Sequence, residues 1–226
     1  MKVSAIVPAY NEEKHIGRVL QILTHCPYIN DVICVNDGST DTTLSVIKTI
    51  PNVTIIDLRT NRGKAYAITS GIAKAKEDIV LFIDADLIGL TNETIASLIT
   101  PLAKEGFDVA IGYKSERKDF LFKPLAGERA YFKRDIQSLS NLMKYKGYGL
   151  ELYLNYAMQK KRTKIVALTG VTHVLKYNKQ SYFFATKGLM KEFRDILIEI
   201  FTHKNPISFF LYAYISPFYI KLQPKS

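Results

Sequence analysis

The sequence predicts an α/β fold in which a mostly parallel, Rossmann-like sheet carries helices on both faces. Two observations lead to this fold class. Over roughly the first 110 residues, short apolar segments rich in β-branched residues alternate with segments of helical periodicity. The chain has 226 residues, of which 47% are hydrophobic, so it can bury the core of one large domain.

The predicted strands and helices follow one another in βαβ order. The strand-like segments comprise residues 3–7, 32–35, 53–56, 79–83, 109–111 and 165–168, and helical spacing of apolar residues is clearest at 16–23 and 95–102. Parallel strands joined by crossover helices bring their carboxyl-terminal loops to one edge of the sheet, where open α/β sheets bind ligands. We therefore expect the functional site in the loops that follow these strands.

The loop after the fourth predicted strand holds the most informative pair of residues, Asp84 and Asp86. The unbroken apolar run before them is typical of a buried parallel strand. A hard divalent cation, Mg²⁺ or Mn²⁺, would explain two carboxylates there, because it binds one or two carboxylates together with the oxygens of a substrate diphosphate. An Asx-turn or a helix cap that ends the strand is the alternative.

Two further loops suit a nucleoside. Residues 8–13 follow the first strand, where Tyr10 offers a flat ring and Asn11 is predicted to cap the next helix. Residues 36–41 follow the second strand and contain an Asp-Gly turn, in which Asp37 is expected to accept hydrogen bonds from a base.

A fourth loop, residues 61–64, suits a phosphate, because Gly63 lets the backbone approach closely and Lys64 supplies a point charge. Each loop alone is a weak signal, since Asp-Gly is usually only a turn and a lysine at a helix start is usually solvated. Four such loops in order, each after a predicted strand of one sheet, indicate a nucleotide site.

In these loops the chain resembles the nucleotide-sugar-dependent glycosyltransferases of the GT-A fold, particularly the large inverting family 2. The resemblance rests on residues 7–13, 35–41, 61–64 and 84–86. It implies a UDP- or GDP-linked sugar donor, a Mg²⁺ or Mn²⁺ cofactor, and Asp86 as a metal ligand that serves catalysis. The substrate-binding residues that it implies are Pro8, Ala9, Tyr10, Glu12, Asp37, Gly63, Lys64, Asp84 and Ala85.

The same resemblance assigns tasks within this set. Pro8, Tyr10 and Glu12 line the nucleoside pocket, Asp37 reads the base, Lys64 neighbours the diphosphate, and Asp84 faces the ribose and the sugar.

The second half of the chain is similar to glucosyl-3-phosphoglycerate synthases and related small GT-A enzymes. This likeness rests on residues 124–130, 147–151 and 170–176. It implies an acceptor loop that contains Glu128 and Arg129, of which Arg129 is expected to bind substrate.

The likeness also implies that His173 joins Asp86 on the cation. The residues alone leave two interpretations of His173 open. It is either a metal ligand, since imidazole suits Mn²⁺, or a surface or capping residue in a glycine-containing loop.

Glu128 and Glu151 are the candidate catalytic carboxylates, and by the likeness Glu151 faces the acceptor. If the reaction inverts configuration, a carboxylate must take the proton of the acceptor hydroxyl. Each glutamate also precedes a predicted helix and could instead complement its N-terminus. The closer likeness to glucosyl-3-phosphoglycerate synthases implies a retaining reaction, which would need neither as a base, so the sequence leaves the stereochemistry open.

Charge favours an anionic partner, because 31 basic and 21 acidic residues give a net charge of +10. The basic residues near the acceptor loop fit a phosphorylated acceptor, such as a phosphoglycerate or a polyprenyl phosphate, or form a solvated face. No nucleic-acid, dinucleotide or P-loop motif is present, whereas a non-catalytic nucleotide-sugar sensor would use the same first-half residues. These basic residues are Lys114, Arg117, Lys118, Lys123, Arg129, Lys133 and Arg134.

We expect a GT-A domain at residues 1–180, divided into a donor half at 1–113 and an acceptor half at 114–180, and a helical, aromatic-rich C-terminal extension at 181–226. Its apolar run at 207–220 is too short for a comfortable membrane span. It either packs against protein, as a dimer interface or a strap over the core, or anchors the chain at the inner face of the membrane. Two cysteines without metal-type spacing, and no apolar signal segment before the first strand, indicate a cytoplasmic protein.

Overall fold

A computed structural model of the protein describes residues 1–114, 126–143 and 149–173, and the statements below concern these residues. As predicted, a mostly parallel sheet lies between two layers of helices. The strands are β1 (Val3–Ala9), β2 (Asp31–Asp37), β3 (Val53–Leu58), β4 (Ile79–Phe82), β5 (Leu87–Ile88), β6 (Val109–Lys114), β7 (Arg129–Phe132), β8 (Thr163–Leu168) and β9 (Thr172–His173). The helices are α1 (Ile16–His25), α2 (Thr43–Lys48), α3 (Lys64–Lys74), α4 (Asn92–Ala103), α5 (Lys133–Gln137), α6 (Ser140–Met143) and α7 (Leu150–Ala157).

The main sheet has seven strands in the order β3-β2-β1-β4-β7-β6-β8. The strands β1 to β4 pair in parallel, and β6 pairs in parallel with β8. β7 pairs antiparallel with both β4 and β6, so it alone runs against the other described strands of this sheet. Every strand predicted from the sequence is present, with its ends shifted by a few residues.

The sequence analysis did not predict β7, because its residues fall in the expected acceptor loop and its four residues alternate too little to signal a strand. Pairing defines it instead, with Arg129 opposite Phe82 at the carboxyl end of β4. Since β7 runs antiparallel to β4, the residues just before β7 lie at the edge of the sheet where the functional loops were expected. The strands β7 and β8 therefore extend the same sheet as the donor half.

Side chains that alternate along the central strands build a core on each face of the sheet. In β4, Ile79 and Leu81 pack with the layer that contains α1 and α4, whereas Val80 and Phe82 pack with the layer that contains α3 and α7. Each aliphatic or aromatic side chain buried in this way stabilises the fold by about 1.5–3 kcal/mol. The two layers fix the sheet, and with it the loops at its carboxyl edge.

Both cysteines are buried and free, Cys26 at the end of α1 and Cys34 within β2. Burial raises the pKa of the Cys34 thiol to about 12 and also raises the pKa of Cys26. At neutral pH both are therefore protonated thiols with little reactivity.

The predictions for the C-terminal extension at 181–226, and for its apolar run, concern residues outside the described part of the chain. Within residues 1–114, 126–143 and 149–173, no helix has the length and apolar character needed to cross a membrane.

Candidate active site

The loops after β1 and β2 are joined by hydrogen bonds. The Asn11 side-chain oxygen accepts from the Thr40 amide at 2.8 Å, and the Asn11 amide donates to Ser39 Oγ. Glu13 Oε2 accepts from the amide and the hydroxyl of Thr42, at 3.0 and 2.6 Å. The prediction that Asn11 caps the next helix is wrong, because its side-chain oxygen bonds to the second loop and α1 begins further along the chain.

The residues predicted to bind the nucleoside lie at the end of β1 and at the start of the loop that follows it. Pro8 and Ala9 end the strand, Tyr10 follows them with 43% of its surface exposed, and Glu12 is largely buried. The Glu12 amide donates to Thr43 Oγ1 at 2.8 Å, which ties the first loop to the start of α2. The four residues therefore share one edge of the sheet, and their contacts with a nucleoside stay predictions.

Asp37 is buried at the end of β2 and holds the loop before α3. Its Oδ1 accepts from the Arg62 amide and its Oδ2 from the Gly63 amide, each at 2.8 Å. The next residue, Gly38, has φ +66°, and a Cβ there would lie 2.4 Å from the carbonyl carbon of Thr60. Recognition of a base by Asp37 stays a prediction. The structure adds a second role, since Asp37 fixes the loop that leads to Lys64.

Lys64, the first residue of α3, lies at the centre of a charged cluster. Its Nζ is 2.7 Å from Asp84 Oδ1 and 3.6 Å from Glu151 Oε1. Desolvation lowers the pKa of Lys64, but the charges of Asp84 and Glu151 and the hydrogen bond to Asp84 outweigh it and raise the pKa above its usual value. Lys64 therefore keeps its charge at physiological pH, and 37% of its side chain remains exposed to an incoming anion.

Sequence reasoning did not select Gly127 as a site residue. A Cβ at Gly127 would lie 2.6 Å from Lys64 Nζ and 2.9 Å from Asp84 Oδ2, so the backbone before β7 lies directly against this ion pair. The available signal was the glycine within the expected acceptor loop, because a residue without a side chain permits such an approach. We call Lys64, Asp84, Glu151 and Gly127 the lysine cluster.

Glu128 differs from Glu151 in its surroundings. It is fully buried, its Oε1 accepts from Lys114 Nζ at 3.0 Å, and its Oε2 has no hydrogen-bond partner among the described residues. Glu151 lies in the first turn of α7 with 16% of its side chain exposed, within the lysine cluster. Lys114 does not lie on a solvated face, because its side chain is largely buried and pairs with Glu128, whereas its role at a phosphorylated acceptor stays a prediction.

Arg129 begins β7 and is 1% exposed. Its Nε donates to the Ala126 carbonyl at 2.6 Å, and its Nη1 donates to Tyr131 Oη at 3.1 Å and to Asn155 Oδ1 at 2.7 Å. Direct binding of substrate by Arg129 stays a prediction. The structure places the guanidinium in a buried hydrogen-bond network beneath the loop.

Asp86 lies partly exposed in the turn after β4, separated from Asp84 by the buried Ala85. The backbone of β9 pairs with β5 and sets His173 opposite Leu87, the residue after Asp86. The described residues contain no group of three or more His, Cys, Asp or Glu that could hold a metal unaided. A carboxylate at this edge fits Mg²⁺ or Mn²⁺, which complete their shells with diphosphate oxygens and water. The metal roles of Asp86 and His173 stay predictions.

The fold is similar to solved structures of glucosyl-3-phosphoglycerate synthase from Mycobacterium tuberculosis. The complex with Mn²⁺, UDP and phosphoglyceric acid matches with a TM-score of 0.73 and 20% identity, over 89% of this chain and 78% of that one. The complex with Mg²⁺ and UDP matches with a TM-score of 0.71 and 20% identity, over 94% of this chain and 79% of that one. At this identity the likeness shows the fold, which is the predicted GT-A fold.

Curated relatives match over about half of the chain. The dodecaprenyl-phosphate galacturonate synthase of Rhizobium johnstonii is 30% identical over 131 residues, which are 54% of this chain and 38% of that protein. The undecaprenyl-phosphate 4-deoxy-4-formamido-L-arabinose transferase of Proteus mirabilis is 32% identical over 136 residues, 56% of this chain and 41% of that protein. This chain thus spans about two fifths of the length of these relatives.

The family model described as Glycosyl transferase family 2 matches residues 4–165. The match includes the loops after β1 to β4, the segment before β7, and Glu151, so it contains every member of the lysine cluster. The resemblance predicted from the four loops is confirmed, and the chain belongs to glycosyl transferase family 2.

Proposed function

We propose that this protein is a metal-dependent hexosyltransferase that moves a sugar from a nucleoside-diphosphate sugar to an acceptor carrying a phosphate. The observation that carries the proposal is the lysine cluster at the carboxyl edge of the sheet. Lys64 keeps its charge there and is still partly exposed. A fixed cation at this position suits the departing nucleoside diphosphate, whose negative charge grows as the glycosidic bond breaks.

Asp86 and His173 would hold a Mg²⁺ or Mn²⁺ ion, which when bound supplies a second positive charge for the diphosphate. Support comes from the chemistry of the edge itself, a partly exposed aspartate beside a strand that ends in histidine. The M. tuberculosis synthase of the same fold was crystallised with UDP together with either Mn²⁺ or Mg²⁺. UDP is therefore the first nucleotide to test, with GDP as the second.

The other members of the lysine cluster would orient the two substrates. Asp84 accepts from Lys64 through Oδ1, and its carboxylate would face the ribose and the sugar of the donor. Glu151 lies 3.6 Å from the Lys64 ammonium, where it would hold the acceptor hydroxyl and take its proton if configuration is inverted. Glu128 is less suited to this task, because it is fully buried and paired with Lys114.

Two different likenesses each support one class of acceptor. A phosphorylated small molecule such as a phosphoglycerate is supported by the fold of the synthase crystallised with phosphoglyceric acid. A polyprenyl phosphate at a membrane surface is supported by the two curated relatives, whose names state such acceptors. Both acceptors present a phosphate to a chain of net charge +10.

Thermal unfolding with Mn²⁺ and a panel of nucleoside diphosphates and their sugars tests the donor half. A ligand at 100 times its Kd stabilises the fold by about 2.7 kcal/mol, which raises Tm by several degrees. UMP and GMP serve as controls, since they keep the base and lack the diphosphate. A panel in which no nucleotide raises Tm would contradict the proposal.

Transfer of a radiolabelled sugar from the stabilising donor tests the reaction. One set of assays contains 3-phosphoglycerate and the other contains undecaprenyl phosphate in phosphatidylglycerol vesicles, with the unphosphorylated alcohols as controls. Product in either set supports the hexosyltransferase and identifies its acceptor class. Donor binding without transfer or donor hydrolysis would indicate a nucleotide-sugar sensor instead.

A further inference from the structure

Gly127 is followed in sequence by two residues with charged side chains, and both are buried. Glu128 is 0% exposed and Arg129 is 1% exposed. Burying a charge costs several kcal/mol unless its partners compensate, and well-packed apolar residues often stabilise a fold equally well. Two consecutive buried charges beside the lysine cluster therefore call for an explanation other than stability.

The bonds of Arg129 reach three separate parts of the site. One goes to the Ala126 carbonyl, in the peptide that leads into Gly127, and one goes to Tyr131 on the same strand. The third goes to Asn155 on α7, at 2.7 Å. The guanidinium thus connects the segment before β7 with a helix that is distant in sequence.

Both connected parts touch Lys64. The backbone at Gly127 lies against Lys64 Nζ and Asp84, and Glu151 lies 3.6 Å from the same ammonium. Glu151 and Asn155 are four residues apart on α7, so they share a helix face. A shift of Arg129 would therefore displace the backbone at Gly127 and the carboxylate of Glu151, both of which lie close to the Lys64 ammonium.

We propose that Arg129 is a positioning residue. It holds the Ala126–Gly127 peptide and α7 at the spacing that keeps the Lys64 ammonium between Asp84 and Glu151. Its importance for sugar transfer rests on the proposed function, whereas its effect on Lys64 does not. The expected consequence of removing the guanidinium is a Lys64 that is more open to solvent and less strongly paired.

Competitive acetylation of the full chain, read by mass spectrometry at Lys64 between pH 8 and 11, tests this directly. In the wild type, Lys64 should react slowly, because its pKa is raised and only its free amine reacts. Arg129→Met should increase the Lys64 rate by about tenfold, the change that one pKa unit produces. Arg129→Lys should restore much of the slow rate. Lys161, which is paired with Asp135 elsewhere, is the internal control and should not change.

A folded Arg129→Met variant whose Lys64 rate equals that of the wild type would overturn the proposal. If that variant does not fold, Asn155→Leu removes the bond from Arg129 to α7 and keeps the guanidinium, and an unchanged Lys64 rate in this variant has the same meaning. These rates are measured without donor or acceptor. They therefore stand even if no sugar transfer is found, and a failure of the proposed function would be recognised separately.

Discussion

The donor side and the acceptor side of the candidate site are held by different kinds of interaction. On the donor side, polar side chains in neighbouring loops bond to backbone amides, as Glu13 does to Thr42 and Asp37 does to Gly63. On the acceptor side, two buried charged side chains follow Gly127: Arg129 Nε donates to the Ala126 carbonyl, and Glu128 pairs with Lys114.

The difference affects how each side responds to change. Each hydrogen bond between the short loops stabilises the folded state by about 0.5–1.5 kcal/mol. A buried charge that loses its partner costs about 3–5 kcal/mol, so Glu128 and Arg129, and on the donor side the buried Asp37, tolerate fewer substitutions. The following predictions test the donor side of this contrast, beginning with the largest effect.

Asp86→Asn should lower kcat by about a thousandfold, because loss of one electrostatic stabiliser of a developing charge costs roughly that much. Steady-state sugar transfer across a Mn²⁺ titration measures the effect. Asp78→Asn is the matched control, since Asp78 is exposed just before the opposite end of β4. Full activity in Asp86→Asn would contradict the proposed role of Asp86 as a metal ligand.

Lys64→Met should weaken binding of the nucleoside diphosphate by about 10- to 100-fold, which corresponds to one charge-assisted hydrogen bond of roughly 1.5–3 kcal/mol. Calorimetric titration should show little change for the nucleoside alone. Lys74→Met, at the exposed far end of α3, is the control. Equal losses for nucleoside and diphosphate would contradict a phosphate role for Lys64.

Gly38→Ala and Gly63→Ala form a pair that measures how tightly the donor loops pack. Both glycines have positive φ, +66° and +91°, and strained backbone of this kind costs an alanine about 1–3 kcal/mol. The alanine Cβ at 38 would also meet the Thr60 backbone at 2.4 Å, whereas the one at 63 would meet nothing within 4 Å. Urea unfolding should therefore show a larger loss for Gly38→Ala, and equal losses would mean that the loops separate easily.

Lowering the pH should slightly weaken the hydrogen bonds between the loops that follow β1 and β2. Hydrogen bonds from Thr42 lower the pKa of Glu13 below 4.5. Desolvation raises the pKa of Asp41, but its bonds from Thr43 outweigh this and lower it below 3.8. Since both folded-state pKa values are depressed, the stabilisation is present above about pH 4.5 and is lost as the pH falls through the folded values.

The double variant Glu13→Gln, Asp41→Asn should therefore show a shallower fall of Tm than the wild type between pH 5 and pH 3. The two proteins should differ least in slope between pH 6 and pH 8, where neither carboxyl titrates. Identical slopes at low pH would show that these bonds contribute nothing to the donor side.

Much of the donor side was predictable, because its signals are local in sequence. The apolar run that ends in Asp84 and Asp86 predicted the strand, and the site expected at its end stays a prediction. The Asp-Gly turn at Asp37 predicted a tight loop, although its bonds to the amides at Arg62 and Gly63 could not be foreseen. The wrong prediction for Asn11 shows the limit of this approach. An asparagine side chain can accept a hydrogen bond from the start of the next helix or from a neighbouring loop, and the local sequence does not distinguish the two.

By itself the sequence determined the succession of the parallel strands along the chain, the loops that follow them and the family. Each of these depends on residue periodicity or on groups within a few positions of one another. Only the tertiary structure decided that β7 reverses direction, that Gly127 meets Lys64, and that Glu151 rather than Glu128 accompanies it. These contacts join residues that are tens of positions apart, and they exist because two packed layers hold the sheet that carries them.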